Sequence, residues 1–173
     1  HGQIHFGENK VQESIEKWAD IKQDFKHIQL HMLGKLQSNK VKFVIPLFDY
    51  IHSLDNLKLA QKISSEQIKF KKRLKIFIQI NIGNEEQKSG INENDLETFY
   101  KKCVNDLDLN IIGLMCLPPK NEESINHFNK MNNLAKKIGI NELSMGMSGD
   151  FIEASLSGAT YLRIGSKIFG ERD

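Results

Sequence analysis

The chain has 173 residues, and Lys+Arg 24 against Asp+Glu 22 leave a net charge of +2, too small a balance to point to nucleic acid as a partner. With 39% hydrophobic residues and no run near the roughly 20 apolar residues that a bilayer span needs, it reads as one soluble, cytoplasmic domain over residues 1–173, able to bury about 70% of its unfolded surface. Two cysteines, Cys103 and Cys116, are too few for a disulfide scaffold or a thiolate zinc site and fit a reducing compartment.

In chain order, Ile4 to Phe6 reads as a short strand, and Val11, Ile15, Trp18 and Ala19 share one face of a helix over about Glu8 to Asp20. His27 to Leu33 alternates as a strand, and Ser38-Asn39 starts a helix carrying Val41, Phe43, Val44 and Leu47. Tyr50 to Ser53 is a brief strand, after which Asp55 can cap a helix with Leu57, Ala60, Ile63 and Ile68 as its apolar positions. Leu74 to Asn81 is the clearest strand, rich in β-branched and aromatic residues. The polar segment Gly83 to Asn92 precedes a helix with Leu96, Phe99, Tyr100, Cys103, Val104 and Leu107 on one face. Ile111 to Leu117 is a strand stopped by Pro118-Pro119, and Phe128, Met131, Ala135 and Ile138 mark the next helix. Leu143 to Met147 and Tyr161 to Ile164 are the last strands, separated by a short helix holding Phe151, Ile152 and Leu156.

Seven strands, each followed by a helix, argue for a parallel sheet with covered faces. Two α/β architectures compete. An open doubly wound sheet can hold seven strands, whereas a TIM-type (β/α)8 barrel needs eight, typically within about 250 residues. In a barrel, one βα unit of roughly 30 residues is expected ahead of His1, and Ile4 to Phe6 is the second strand.

Polar residues gather where strands hand over to helices, the carboxyl edge at which parallel α/β folds bind ligands. In SMGMSGD (Ser144 to Asp150), Ser148 and Gly149 offer a hydroxyl and unpaired amides at a helix N-terminus; in RIGSKIFGER (Arg163 to Arg172), Gly165 and Ser166 repeat the arrangement after the next strand. Either turn alone is explained by tight-turn glycines and a helix cap; on consecutive strand ends they favour a phosphate site and a phosphorylated small molecule. Arg163, two positions before Gly165, shares its side of the strand, although an Arg leaving a buried strand can also pair with an acidic neighbour. His27 and His31 share a strand face without a third metal ligand, so no metal is expected. His52 is placed at the barrel top or in the core. Cys103 and Cys116 have the setting of inert buried thiols, and the run Lys69, Lys71, Lys72, Arg73 and Lys75 that of a solvated turn. Neither GxxxxGK[ST] nor GxGxxG is present.

Several segments together resemble the pyridoxal 5′-phosphate (PLP) homeostasis family, the YggS/PROSC type, related to the barrel of alanine racemases: HFGENKVQE (His5 to Glu13), GKLQSNKVK (Gly34 to Lys42), IHSLD (Ile51 to Asp55), IQINIGNEEQKSG (Ile78 to Gly90), GLMCLPP (Gly113 to Pro119), LSMGMSGDF (Leu143 to Phe151) and GATYLRIGSKIFGER (Gly158 to Arg172). The resemblance implies a single-domain barrel of the alanine racemase type, with PLP held by its phosphate at Ser148, Gly165 and Ser166, Arg163 beside the pyridine nitrogen and Asn9 lining the cofactor. A guanidinium there is always protonated, disfavours protonation of the ring nitrogen and weakens the cofactor as an electron sink. The family's Schiff-base lysine sits in a motif like SKT at the end of a first strand, expected upstream of His1, so neither Lys10 nor Lys35 is given that role and no catalytic residue is assigned. The resemblance therefore implies a PLP carrier and regulator, monomeric, without nucleic-acid or membrane partners. The alternatives are a PLP-dependent racemase-like enzyme, for which no second acid/base Tyr at a strand end presents itself, and a barrel for another phosphate ester.

Overall fold

A computed structural model describes residues 2–170 apart from Glu86; His1 and the end of the RIGSKIFGER motif, Glu171 and Arg172, lie outside the described residues. Among the described residues, seven strands alternate with seven α-helices: β1 (His5–Glu8), α1 (Val11–Asp24), β2 (Gln29–Met32), α2 (Val41–Leu47), β3 (Tyr50–Leu54), α3 (Leu57–Phe70), β4 (Lys75–Ile80), α4 (Leu96–Lys101), β5 (Ile111–Cys116), α5 (Ser124–Ile138), β6 (Glu142–Met147), α6 (Phe151–Leu156), β7 (Tyr161–Arg163) and α7 (Ser166–Phe169). All strand pairings are parallel, and spatial order equals chain order from β1 to β7. Among the described residues, no helix is long and apolar enough to cross a membrane.

The sheet is curled into a nearly closed barrel rather than laid open. Tyr161, on β7, has its ring centroid 6.4 Å from that of His5 on β1, 5.8 Å from Tyr50 on β3 and 5.2 Å from Phe77 on β4. One side chain of the last strand therefore meets rings from the first strands, which a flat seven-stranded sheet forbids. Tyr50, Phe77 and Met115 form this inner cluster, with Ile112 and Tyr161 packed against it. The larger core lies outside the strands, where Leu30, Ile51, Ile76 and Leu114 meet Val44, Ile63, Phe99 and Phe128 from the helices. Gly113 is required where β5 and β6 run together: a Cβ there would lie 2.1 Å from the Glu142 carbonyl oxygen.

Local chemistry departs from the sequence expectations in a few places. Asn56, not Asp55, caps α3, its side-chain oxygen accepting from the Leu59 amide at 2.8 Å. Ile68, expected on the apolar face of α3, is 75% exposed: the helix buries Leu59, Ala60, Ile63, Glu66 and Gln67, and Ile68 falls on the side away from that stripe. On α6 only Ala154 is buried, and Ile152 and Leu156 face outward. The helix begun at Leu96 does not stay regular to Leu107: Lys102–Asp106 widens into a π-turn, the Leu107 amide bonding the Lys102 carbonyl. The basic run is exposed at Lys69, Lys71, Arg73 and Lys75, as expected of a solvated turn, and it also carries surface ion pairs of Arg73 with Asp108 and Lys69 with Glu66, while Lys75 donates to the Tyr50 hydroxyl.

Candidate functional site

β6 and β7 lie side by side with Met147 opposite Arg163, so their carboxyl ends open at one level. The turn after β6 is fixed by Asp150: one carboxylate oxygen accepts from the Met147 amide at 2.7 Å and the other from the Ser124 hydroxyl at 3.1 Å. With that turn held by Asp150, Ser148 does not cap its own helix. Its oxygen faces the neighbouring turn instead, accepting from the Gly165 amide at 3.3 Å and the Lys167 amide at 3.4 Å. Two backbone N–H groups thus converge on one point, beside Ser166 at the start of α7. An added Cβ at Gly149 or at Gly165 would meet nothing within 4 Å, so both backbones border open space.

Beneath this turn, Arg163 donates from Nη1 to Ser144 Oγ at 2.8 Å and from Nη2 to the Cys116 carbonyl at 2.8 Å. Among the described residues, no carboxylate ion-pairs with it. Its partners are a hydroxyl and a carbonyl, and burial lowers its proton affinity below that of a free guanidinium. A cation placed so, with three N–H groups still to satisfy, attracts an acceptor. The acidic neighbour that sequence reasoning allowed for is replaced by the neutral pair Ser144 and Cys116.

Asn9 is not joined to these residues by any hydrogen bond. It sits at the tip of β1 and lines a separate open cleft with Lys10, Gln12, Glu13, Lys35 and Lys40. Gly34 lets β2 pass this tip, since a Cβ there would fall 2.1 Å from the Asn9 carbonyl oxygen. Lys10 is paired with Glu13 at 2.6 Å. The structure therefore gathers Ser148, Arg163, Gly165 and Ser166 at adjacent strand tips and places Asn9 just past the carboxyl end of β1, on the same edge of the parallel sheet.

Sequence reading missed what stands behind Arg163. A line of hydrogen bonds crosses the barrel: Ser144 Oγ to His52 Nδ1 at 2.8 Å, His52 Nε2 to His31 Nδ1 at 2.9 Å, and His31 Nε2 to His5 Nδ1 at 2.9 Å. His31 stacks on Tyr50 at 4.0 Å and His52 on Phe77 at 4.2 Å. Burial, then the nearby His5, holds His31 down to about 3, and burial followed by His31 holds His52 well below its ordinary value. Both rings are neutral at physiological pH. His52 belongs to the barrel interior, and His27, expected to share a face with His31, lies outside β2 against Phe25. Among the described residues, no group of three His, Cys, Asp or Glu side chains is placed to hold a metal ion. The available signal for Ser144 was a small hydroxyl inside an otherwise apolar strand run.

A family model described as the N-terminal domain of alanine racemase matches residues 1–173. The chain is 38% identical over 182 aligned positions to the pyridoxal phosphate homeostasis protein of Pasteurella multocida, the match covering 99% of this chain and 78% of that protein. Among solved structures, PipY of Synechococcus elongatus with PLP bound superposes with a TM-score of 0.89 at 34% identity, covering 98% of this chain and 82% of that one. Alanine racemase of Corynebacterium glutamicum, at 15% identity and a TM-score of 0.72 over 99% of this chain and 48% of its own, shares the fold.

Proposed function

Since the chain belongs to the pyridoxal phosphate homeostasis proteins, on the alanine racemase N-terminal fold, we propose that it binds PLP at the tips of β6 and β7 and acts as a carrier and regulator of that cofactor rather than as a vigorous catalyst. Bound PLP supplies a reactive aldehyde conjugated to a pyridine ring. The chain's own residues do the rest. The Ser148 hydroxyl and the amides of Gly165, Ser166 and Lys167 hold the phosphate, where oriented N–H groups at strand-to-helix turns favour an anion. Arg163 donates to the ring nitrogen and, being unable to give up its proton, keeps that nitrogen unprotonated. Asn9 borders the cofactor from the β1 side. A ring held in this way withdraws few electrons from a bound amine, which suits storage and delivery better than turnover. The reading carries with it a cytoplasmic location and a monomeric state.

The observation that carries this reading is the partly buried Arg163 guanidinium, hydrogen-bonded among the described residues to the neutral Ser144 hydroxyl and Cys116 carbonyl, directly behind two amides that converge on Ser148. Absorbance titration with PLP tests it. The wild-type chain should bind, inorganic phosphate should compete, and Ser148→Ala should weaken binding by about tenfold, the worth of a hydrogen bond to a charged group. Equal affinities for wild type and Ser148→Ala, with no competition by phosphate, would overturn the site. Competition between phosphate and a different phosphate ester, with PLP failing to bind, would overturn the cofactor and keep the anion site.

A further inference from the structure

The line of bonds behind Arg163 has a direction, and Arg163 sets it. A guanidinium only donates, so Ser144 Oγ accepts from it at 2.8 Å. Ser144 is fully buried, and its own proton has one other hydrogen-bonding neighbour among the described residues, His52 Nδ1. A buried hydroxyl hydrogen left without an acceptor costs as much as a lost hydrogen bond, so Ser144 donates to His52 Nδ1. His52 then carries its hydrogen on Nε2 and gives it to His31 Nδ1; His31 carries its hydrogen on Nε2 and gives it to His5 Nδ1. Each assignment follows from the one before, and the first cannot reverse. The opposite polarity would turn the Ser144 hydrogen toward the N–H groups of Arg163, donor against donor.

The rings cannot swing out of line, because Tyr50 and Phe77 stack on them with interplanar angles of 12° and 22°. We propose that Ser144 is a positioning residue for Arg163, oriented in turn by His52 and His31 as their Nε2–H tautomers, so that a neutral interior chain aims the guanidinium at the cofactor. Two Arg163 N–H groups are spent on Ser144 and Cys116, which fixes the plane in which the remaining ones are presented. The interior assignment stands on geometry alone; its functional half rests on the PLP reading and specifies how the Arg163 guanidinium is held.

The test uses the chain with 15N-labelled histidine, free of cofactor, and long-range 1H–15N correlation at neutral pH. His31 and His52 should both show a protonated Nε2 and a bare Nδ1. In Ser144→Ala the His52 Nδ1 resonance should move as its donor disappears, with the circular dichroism spectrum unchanged. The same variant should lose about tenfold in PLP affinity and shift the absorption maximum of the bound cofactor, and Ser144→Thr, which keeps the hydroxyl, should restore all three readouts. An Nδ1–H tautomer on either ring, or a Ser144→Ala protein with wild-type affinity and spectrum, would overturn the proposal. The stated tautomers in a chain that does not bind PLP would support the interior assignment and overturn the cofactor reading separately.

Discussion

Acid should unfold this protein through its interior histidines before its carboxylates are reached. His31 is 4% exposed and His52 is 1% exposed, and both are held below the ordinary 6.5, His31 at about 3. In the unfolded chain both titrate at their ordinary value. Their folded values are depressed, so below 6.5 the unfolded state takes up protons that the folded state refuses, and stability falls as pH drops from 6.5 toward 3. Each histidine contributes a slope of about 1.4 kcal/mol per pH unit. At pH 5 the two together should have removed about 4 kcal/mol, a large part of the 5–15 kcal/mol that holds a domain of this size. Urea unfolding at pH 7, 6 and 5 and constant ionic strength measures this slope. His31→Asn, which cannot titrate, should unfold with a slope smaller by about 1.4 kcal/mol per unit, and comparing variant with wild type cancels the carboxylates. An unchanged slope in His31→Asn, or a His31 ring proton that titrates near 6.5 in the folded protein, would refute the reasoning.

Gly113→Ala should cost about 3 kcal/mol in a thermal melt, because its Cβ would press on the Glu142 carbonyl at 2.1 Å and on Phe77 at 2.6 Å; a loss below about 0.5 kcal/mol would mean that β5 and β6 can spread. Cys103 and Cys116, both buried and pushed up to about 12 by desolvation, should ignore a thiol reagent at pH 8 in the native state and react together in denaturant; a native thiol modified at the unfolded rate would contradict their placement.

The strands were legible because their signal is local. Leu74 to Asn81 and Ile111 to Leu117 are apolar, β-branched and bounded by breakers, and they become β4 and β5 with ends shifted by about a residue. Helix existence was equally plain, but helix faces were not. Ile68 and Leu57 lie on the side of α3 away from the buried stripe of Leu59, Ala60, Ile63 and Gln67, and which side of a helix meets the sheet is a fact of packing that a list of apolar positions does not carry. The strand-end turns were readable from Ser148, Gly149, Gly165 and Ser166, since a hydroxyl and glycines at such turns have a local reason. What was not readable is that Asp150 fastens the first turn and so turns Ser148 toward the second. His52 and Ser144 are further from reach: they are 92 positions apart in the chain, and only closure of the sheet makes them neighbours.

That separation orders events in time. Because each strand pairs with the one made just before it, every βα unit can dock on its predecessor as it is synthesised, and the outer layer of the barrel is assembled from contacts close in sequence. The inner line of bonds runs across that order: β1, β2 and β3 supply its histidines, and it has no terminus until β6 brings Ser144 and β7 brings Arg163. The polar interior is therefore the last part of the molecule to be completed. Until β6 arrives the two inner histidines lack the hydroxyl that fixes their protons, and until β7 arrives that hydroxyl lacks the guanidinium that orients it, so the polar interior and the Arg163 site are completed together.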